Sequence, residues 1–142
     1  MTAAPSSPTT VVLSYLAAFD QRDPEAIAAH VAPDFVNTHT ASLGTGCEGR
    51  SAYWEHLPGF LESMPGLHYE VDQTVAEGRE VAVFYTMTGR WLGQQAFTLV
   101  GAQRLRVENG LITHRTDYWD SARFLSQVDD EAAVTLRSLG LR

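Results

Sequence analysis

The chain has 142 residues, the usual size of one domain. At that length it can bury roughly two thirds of its unfolded surface with no metal or disulfide staple. Apolar residues make up 44% and charged residues 19%, which excludes a disordered chain. Ten Lys and Arg against seventeen Asp and Glu leave a net charge of −7, which argues against the basic patch that nucleic acid or an anionic membrane requires.

The opening MTAAPSSPTT has neither the basic start nor the apolar core of a signal peptide. Residues 1–9 read as a disordered lead-in. Thr9 or Thr10 then caps a helix to about Gln21, with Val12, Tyr15, Leu16 and Phe19 on one apolar face. Asp23-Pro24-Glu25 opens a second, short helix to about Val31, which Ala32-Pro33-Asp34 breaks. Residues 35–39 are short and β-prone, and residues 41–46 read as a loop. Cys47, the only cysteine, rules out an intrachain disulfide and a multi-Cys zinc site. A third helix starts at Arg50 or Ser51, carries Tyr53, Leu57, Phe60 and Leu61, and is expected to kink or stop at Pro58-Gly59.

Beyond Met64-Pro65-Gly66 the pattern predicts strands over 67–76, 80–91, 94–107 and 111–119, with glycine-containing turns between them. Two short helices follow, over 121–128 and 130–139. No run nears the ~20 apolar residues of a membrane span, and the expectation is a soluble, cytoplasmic chain. Helices first and a meandering sheet second make an α+β order, in which a strongly curved, mostly antiparallel sheet encloses a pocket.

Alternation assigns the strand faces. On the last strand Thr113, Arg115, Asp117 and Trp119 share one face, with His114, Thr116, Tyr118 and Asp120 on the other. On the strand before it, Gln103 sits alone among Phe97, Leu99, Gly101 and Leu105. A lone amide among apolar neighbours needs partners, and a ligand is one candidate.

The stretches YLAAFDQRDPEAIAAHVAPDF, Gly49-Arg50 and ENGLITHRTDYWDSARFLSQV resemble the SnoaL-like branch of the NTF2-like superfamily over about residues 10–128. Residues 129–142 extend past the resemblance as a helical tail. The resemblance implies a cone-shaped pocket, no cofactor, and a homodimer formed through the outer sheet face, here carrying Arg104, Arg106, His114 and Tyr118. Fold alone does not fix the chemistry. Compared with ketosteroid isomerases, Tyr15 falls on the oxyanion-binding tyrosine, His39 on the carboxylate base and Gln103 on a protonated acid, so two of the three groups have changed type. Compared with limonene-epoxide hydrolases, Asp117 falls on the water-activating aspartate and Asn37 and His39 on its helpers. Phe84 and Thr86 replace the Arg and second Asp.

Two readings of each residue remain open from sequence alone. His39 is a turn histidine or a general acid/base; Asp117 is an ion-pair partner of Arg115, a helix cap, or the group that orients His39 or activates water. Tyr15 and Gln103 are core residues or oxyanion donors. The candidate substrate contacts are Asn37, Trp54, Phe84, Leu99, Arg115 and Trp119. The histidines show no metal-ligand spacing. Gly44-Thr45-Gly46-Cys47-Glu48-Gly49 spells a dinucleotide-binding pattern, but the preceding segment is too short and polar to be a buried parallel strand.

The resulting expectation is a cofactor-independent acid–base enzyme for a small, apolar, oxygenated molecule, working by proton transfer next to a carbonyl. Its catalytic set is His39, Asp117, Tyr15 and Gln103. The alternatives are a non-catalytic binding or dimerisation domain, and epoxide hydrolysis by Asp117 with Tyr15 as the acid.

Overall fold

The computed structural model describes residues 6–141, so most of the expected lead-in, residues 1–5, lies outside the described residues. Helix α1 (Pro8–Ala18) starts earlier than Thr9 or Thr10 would allow. The cap is Ser7, whose Oγ accepts the Thr10 amide at 3.2 Å, and Pro8 occupies the first turn, where its missing N–H has no helical partner to lose. A single 3-10 turn carries α1 on to Gln21. Asp23 caps α2 (Pro24–Ala28) through the Glu25 amide at 3.0 Å.

Strand β1 (Val31–His39) begins four residues before the predicted one. Helix α2 ends at Ala28, ahead of Ala32-Pro33-Asp34, and that segment lies inside the strand. It sits in a register shift between Val31 and Val36, where an extended residue without an N–H is tolerated. A two-residue strand, β2 (Cys47–Glu48), pairs with β1 and was not expected, being too short to carry a periodic signal. Helix α3 (Arg50–Ser63) continues through Pro58 and does not stop there. Pro58 and Gly59 lie on its exposed side, while Tyr53, Leu57 and Leu61 anchor the other side in the core.

Strands β3 (His68–Glu77), β4 (Glu80–Trp91), β5 (Gln95–Glu108) and β6 (Leu111–Tyr118) form an antiparallel meander as expected. The sheet order is β2-β1-β6-β5-β4-β3, with β1 running parallel to β6 at its side. Helices α4 (Ser121–Val128) and α5 (Asp130–Ser138) end the chain. The six strands curve without closing, and the helices pack into the concavity as an α+β fold. Tyr15, Leu16 and Phe19 of the first helical segment meet Val81 and Val83 of β4, Leu105 of β5 and Ile112 of β6 in one buried core. The convex face leaves Val100, Phe84 and Tyr118 exposed. No helix among the described residues is long and apolar enough to cross a membrane.

Candidate active site

Between the concave sheet and α3 lies a cavity of about 140 Å³. An apolar space of roughly this size encloses one six-membered ring, and the cavity is not closed, so a fused second ring can extend toward its mouth. Its α3 wall follows helical spacing, with Tyr53, His56, Leu57 and Phe60 all turned toward it. Tyr69, Tyr85, Met87 and Leu99 come from β3, β4 and β5, and Trp119 and Phe124 form the side next to α4. The polar end is built by the parallel pair β1 and β6, which bring Asn37, His39, Arg115 and Asp117 into the cavity wall. The β1/β6 register sets Asn37 beside Arg115 and His39 beside Asp117.

Arg115 organises this end. Its guanidinium donates from Nη1 to Asn37 Oδ1 at 2.9 Å, from Nε to Gln103 Oε1 at 3.1 Å and from Nη2 to Asp117 Oδ2 at 3.2 Å. Burial alone opposes this charge, but the surrounding Tyr15, Asp117, Tyr53 and Tyr69 outweigh it, so the guanidinium is held well above its ordinary value. The other oxygen of Asp117, Oδ1, accepts the Tyr85 hydroxyl at 2.7 Å. Both carboxylate oxygens are therefore oriented, yet each keeps a lone pair for a further donor.

Tyr85 reaches Asp117 across β5, which lies between their strands. The residue opposite Tyr85 on β5 is Gly101. A Cβ there would stand 2.5 Å from the Tyr85 hydroxyl and 2.8 Å from the Tyr118 carbonyl, so only glycine lets the phenol lie over the strand. The loop before β2 obeys a similar constraint. A Cβ on Gly44 would press on the His39 ring at 2.9 Å, and one on Gly46 would meet the Asn37 carbonyl at 2.4 Å. The Gly-x-Gly letters thus let this loop close on β1, which gives the pattern a packing role.

His39 does not bond to Asp117 as the sequence reading allowed. Its Nδ1 accepts the indole N–H of Trp119 at 3.0 Å. Burial first, then the Arg115 charge, pushes the imidazole below its ordinary value, with Asp117 pulling the other way. Burial also raises the phenols Tyr15, Tyr53, Tyr69 and Tyr85, which stay protonated as donors.

Of the ten candidate residues, six line the cavity together: Asn37, His39, Leu99, Arg115, Asp117 and Trp119. Tyr15 is fully buried behind it, and Tyr53, whose hydroxyl meets the Tyr15 hydroxyl at 2.5 Å, stands between it and the space. That removes the acid on which the epoxide reading relied. Gln103 is likewise buried behind Arg115, holding the guanidinium, with its Nε2 unpartnered among the described residues. Phe84 and Trp54 point to solvent at 42% and 49% exposure and do not line the cavity. Phe84 has the wrong parity on β4, whose buried positions are Val81, Val83, Tyr85 and Met87, and Trp54 lies one residue off the inward stripe of α3. The sequence reading missed Tyr53, His56, Tyr69, Tyr85 and Met87 as cavity residues. Tyrosine at an inward parity or helical position among apolar neighbours was the available signal. Among the described residues, no group of three or more His, Cys, Asp or Glu is placed to hold a metal ion.

Residues 12–115 match the SnoaL-like domain family, and the chain belongs to it. Solved structures share its NTF2-like fold. One is a protein from Catenulispora acidiphila with a ketosteroid isomerase-like fold, in complex with trimethylamine. It is 21% identical, with a TM-score of 0.76 over 82% of this chain and 90% of that one. A proposed polyketide cyclase from Xanthomonas campestris pv. campestris is 25% identical, with a TM-score of 0.72 over 86% and 96%. AclR, a proposed hydroxylase from Streptomyces galilaeus, is 20% identical, with a TM-score of 0.70 over 94% and 91%. No curated protein matches the chain.

Proposed function

We propose that this SnoaL-like chain is an acid–base enzyme that needs no cofactor and moves a proton next to a carbonyl in a small, apolar, ring-containing molecule. The observation that carries the reading is Asp117, a carboxylate fixed by Arg115 and Tyr85 in the wall of an otherwise largely apolar cavity. The proton leaves the carbon beside the carbonyl for Asp117, and the electron pair moves onto the carbonyl oxygen as an enolate. The N–H of His39 and the hydroxyl of Tyr53, which also line the cavity, hold that oxygen, and Asp117 returns the proton to the same or a conjugated carbon. Family membership and the neighbours described as cyclase and hydroxylase support a small-molecule-binding or cyclase-type role, and the fixed carboxylate favours the catalytic form of it.

The test is exchange of the α-protons of 2-tetralone and cyclohexenones in D₂O, followed by NMR. The wild type should exceed the buffer rate, and Asp117→Asn should lower the enzymatic rate by roughly 10²–10⁴-fold, the usual share of a positioned base. Ketones that raise the melting temperature without any faster exchange would overturn catalysis and leave a binding domain.

A further inference from the structure

We propose that Trp119 is a positioning residue that locks His39 in its Nε2–H tautomer, so that the ring serves the substrate oxygen as a neutral donor and is withheld from acting as the base. The inference rests on the enolate reading above and assigns roles within the same site. Indole nitrogen can only donate. The Trp119 N–H points at His39 Nδ1 over 3.0 Å, so that atom must carry a lone pair. In a neutral ring the proton then sits on Nε2. Moving it to Nδ1, or adding a second proton there, would set two N–H groups against each other.

The geometry around the ring removes other ways to satisfy it. The loop runs close beside the ring, since a Cβ on Gly44 would stand 2.9 Å from its Cβ and Cγ and 3.1 Å from Nδ1. The His39 and Trp119 rings meet edge to face at 89°, and Trp119 is in turn held edge-on by Phe124. Nε2 has no partner among the described residues and belongs to a side chain in the cavity wall. The titratable or charged groups that share this space are Arg115 and Asp117 from β6, Cys47 from β2, Tyr53 and His56 from α3, Tyr69 from β3 and Tyr85 from β4. Arg115 opposes a second positive charge, and the register partner Asp117 already has Arg115 and Tyr85 on its two oxygens. A neutral imidazole N–H is a competent carbonyl-polarising donor. Base and donor are thereby divided between adjacent strands, Asp117 on β6 and His39 on β1.

Long-range ¹⁵N–¹H correlation spectra of the ¹⁵N-histidine-labelled protein read the tautomer directly, and loss of one signal in His39→Gln assigns it among the five histidines. The lock requires an Nε2–H pattern that holds unchanged between about pH 6 and pH 8, around the ordinary titration point of the ring. Trp119→Phe should produce a mixed tautomer signal and a ring that titrates at higher pH, and this variant keeps the ring packed on Phe124. His39→Gln offers a second, independent check, because its amide can accept from Trp119 and still donate to the substrate. It should retain tetralone exchange within about tenfold of wild type, whereas His39→Ala loses about 10²-fold or more. An Nδ1–H pattern in the wild type, or identical spectra and titration in Trp119→Phe, overturns the lock. Where the wild type exchanges tetralone, Gln performing no better than Ala also overturns it. The spectra need no substrate, so absence of tetralone exchange would overturn the enolate reading alone, and an Nδ1–H ring would overturn the lock while Asp117 keeps its role.

Discussion

The two faces of β6 carry the same kinds of side chain and treat them in opposite ways. Inward, Thr113, Arg115 and Asp117 are all buried, and Arg115 and Asp117 have their charged groups held by named partners. Outward, His114 and Tyr118 are exposed and Thr116 is half-buried. One residue of parity separates a desolvated ion pair from a wet histidine. Chemistry becomes possible only on the inner side, where water no longer competes for the carboxylate and a charge without its partner is expensive.

The comparison breaks most visibly if Arg115 is removed. Arg115→Leu leaves the Asp117 carboxylate buried and alone, and leaves the oxygens of Asn37 and Gln103 without donors. The expected loss is about 3–5 kcal/mol in urea unfolding. His114→Ala, one residue away on the wet face, should stay within about 0.5 kcal/mol. The double variant Arg115→Met with Asp117→Leu should regain part of the stability while losing tetralone exchange entirely, since an apolar pair removes the lone buried charge although the oxygens of Asn37 and Gln103 stay without donors. Equal costs for Arg115→Leu and His114→Ala would mean the inner face is as hydrated as the outer one.

A smaller effect tests how Tyr85 crosses the sheet. Gly101→Ala places a methyl 2.5 Å from the Tyr85 hydroxyl and 2.8 Å from a backbone carbonyl, so the phenol must leave Asp117. Overpacking of this kind costs about 1–3 kcal/mol, and the exchange rate should fall with it. In a Tyr85→Phe background the hydroxyl clash is gone, so the two substitutions should be less than additive by about 0.5 kcal/mol or more. Strict additivity would separate Gly101 from the Asp117 network.

These contrasts also mark what the sequence made legible. Strand alternation was enough to set Arg115, Asp117 and Trp119 on one face, and helix and strand order sufficed for the α+β class, because both follow from short-range periodicity. The partners were not legible. Trp119 lies just past the end of β6, and its bond to His39 depends on β1 lying parallel to that strand, a pairing with no local signature. Tyr15 was placed on the correct helix face but at the cavity rather than one layer behind it, since nothing in α1 reveals that Tyr53 of α3 stands in front of it. Phe84 failed for the opposite reason: its parity on β4 was readable from Val81, Val83, Tyr85 and Met87, and likeness to another family's site overrode it. Gly101 was read only as one of the apolar neighbours of Gln103, and its purpose appears only when Tyr85 is seen to lie over it.

The smallest expected effect concerns acid. Burial, and after it Arg115, depresses the folded titration point of His39 below the unfolded value of about 6.5. Between those two points the unfolded chain binds a proton that the folded chain resists. Stability therefore rises with pH across that interval, is complete above about 6.5, and is lost as pH falls from there through the folded value. One proton limits the slope to about 1.4 kcal/mol per pH unit. Carboxylates add their own loss further down, so the informative quantity is the wild-type urea midpoint minus that of His39→Gln, measured at about pH 7.5 and about pH 5.5. Glutamine does not titrate and can still accept the Trp119 N–H, so the difference should shrink toward acid as the wild type alone pays for its imidazole. A difference that stays constant would mean that His39 takes its proton as readily in the folded cavity as in water. A group so hydrated would belong with His114 on the outer face, and the division between the two sides of the sheet would not extend to β1.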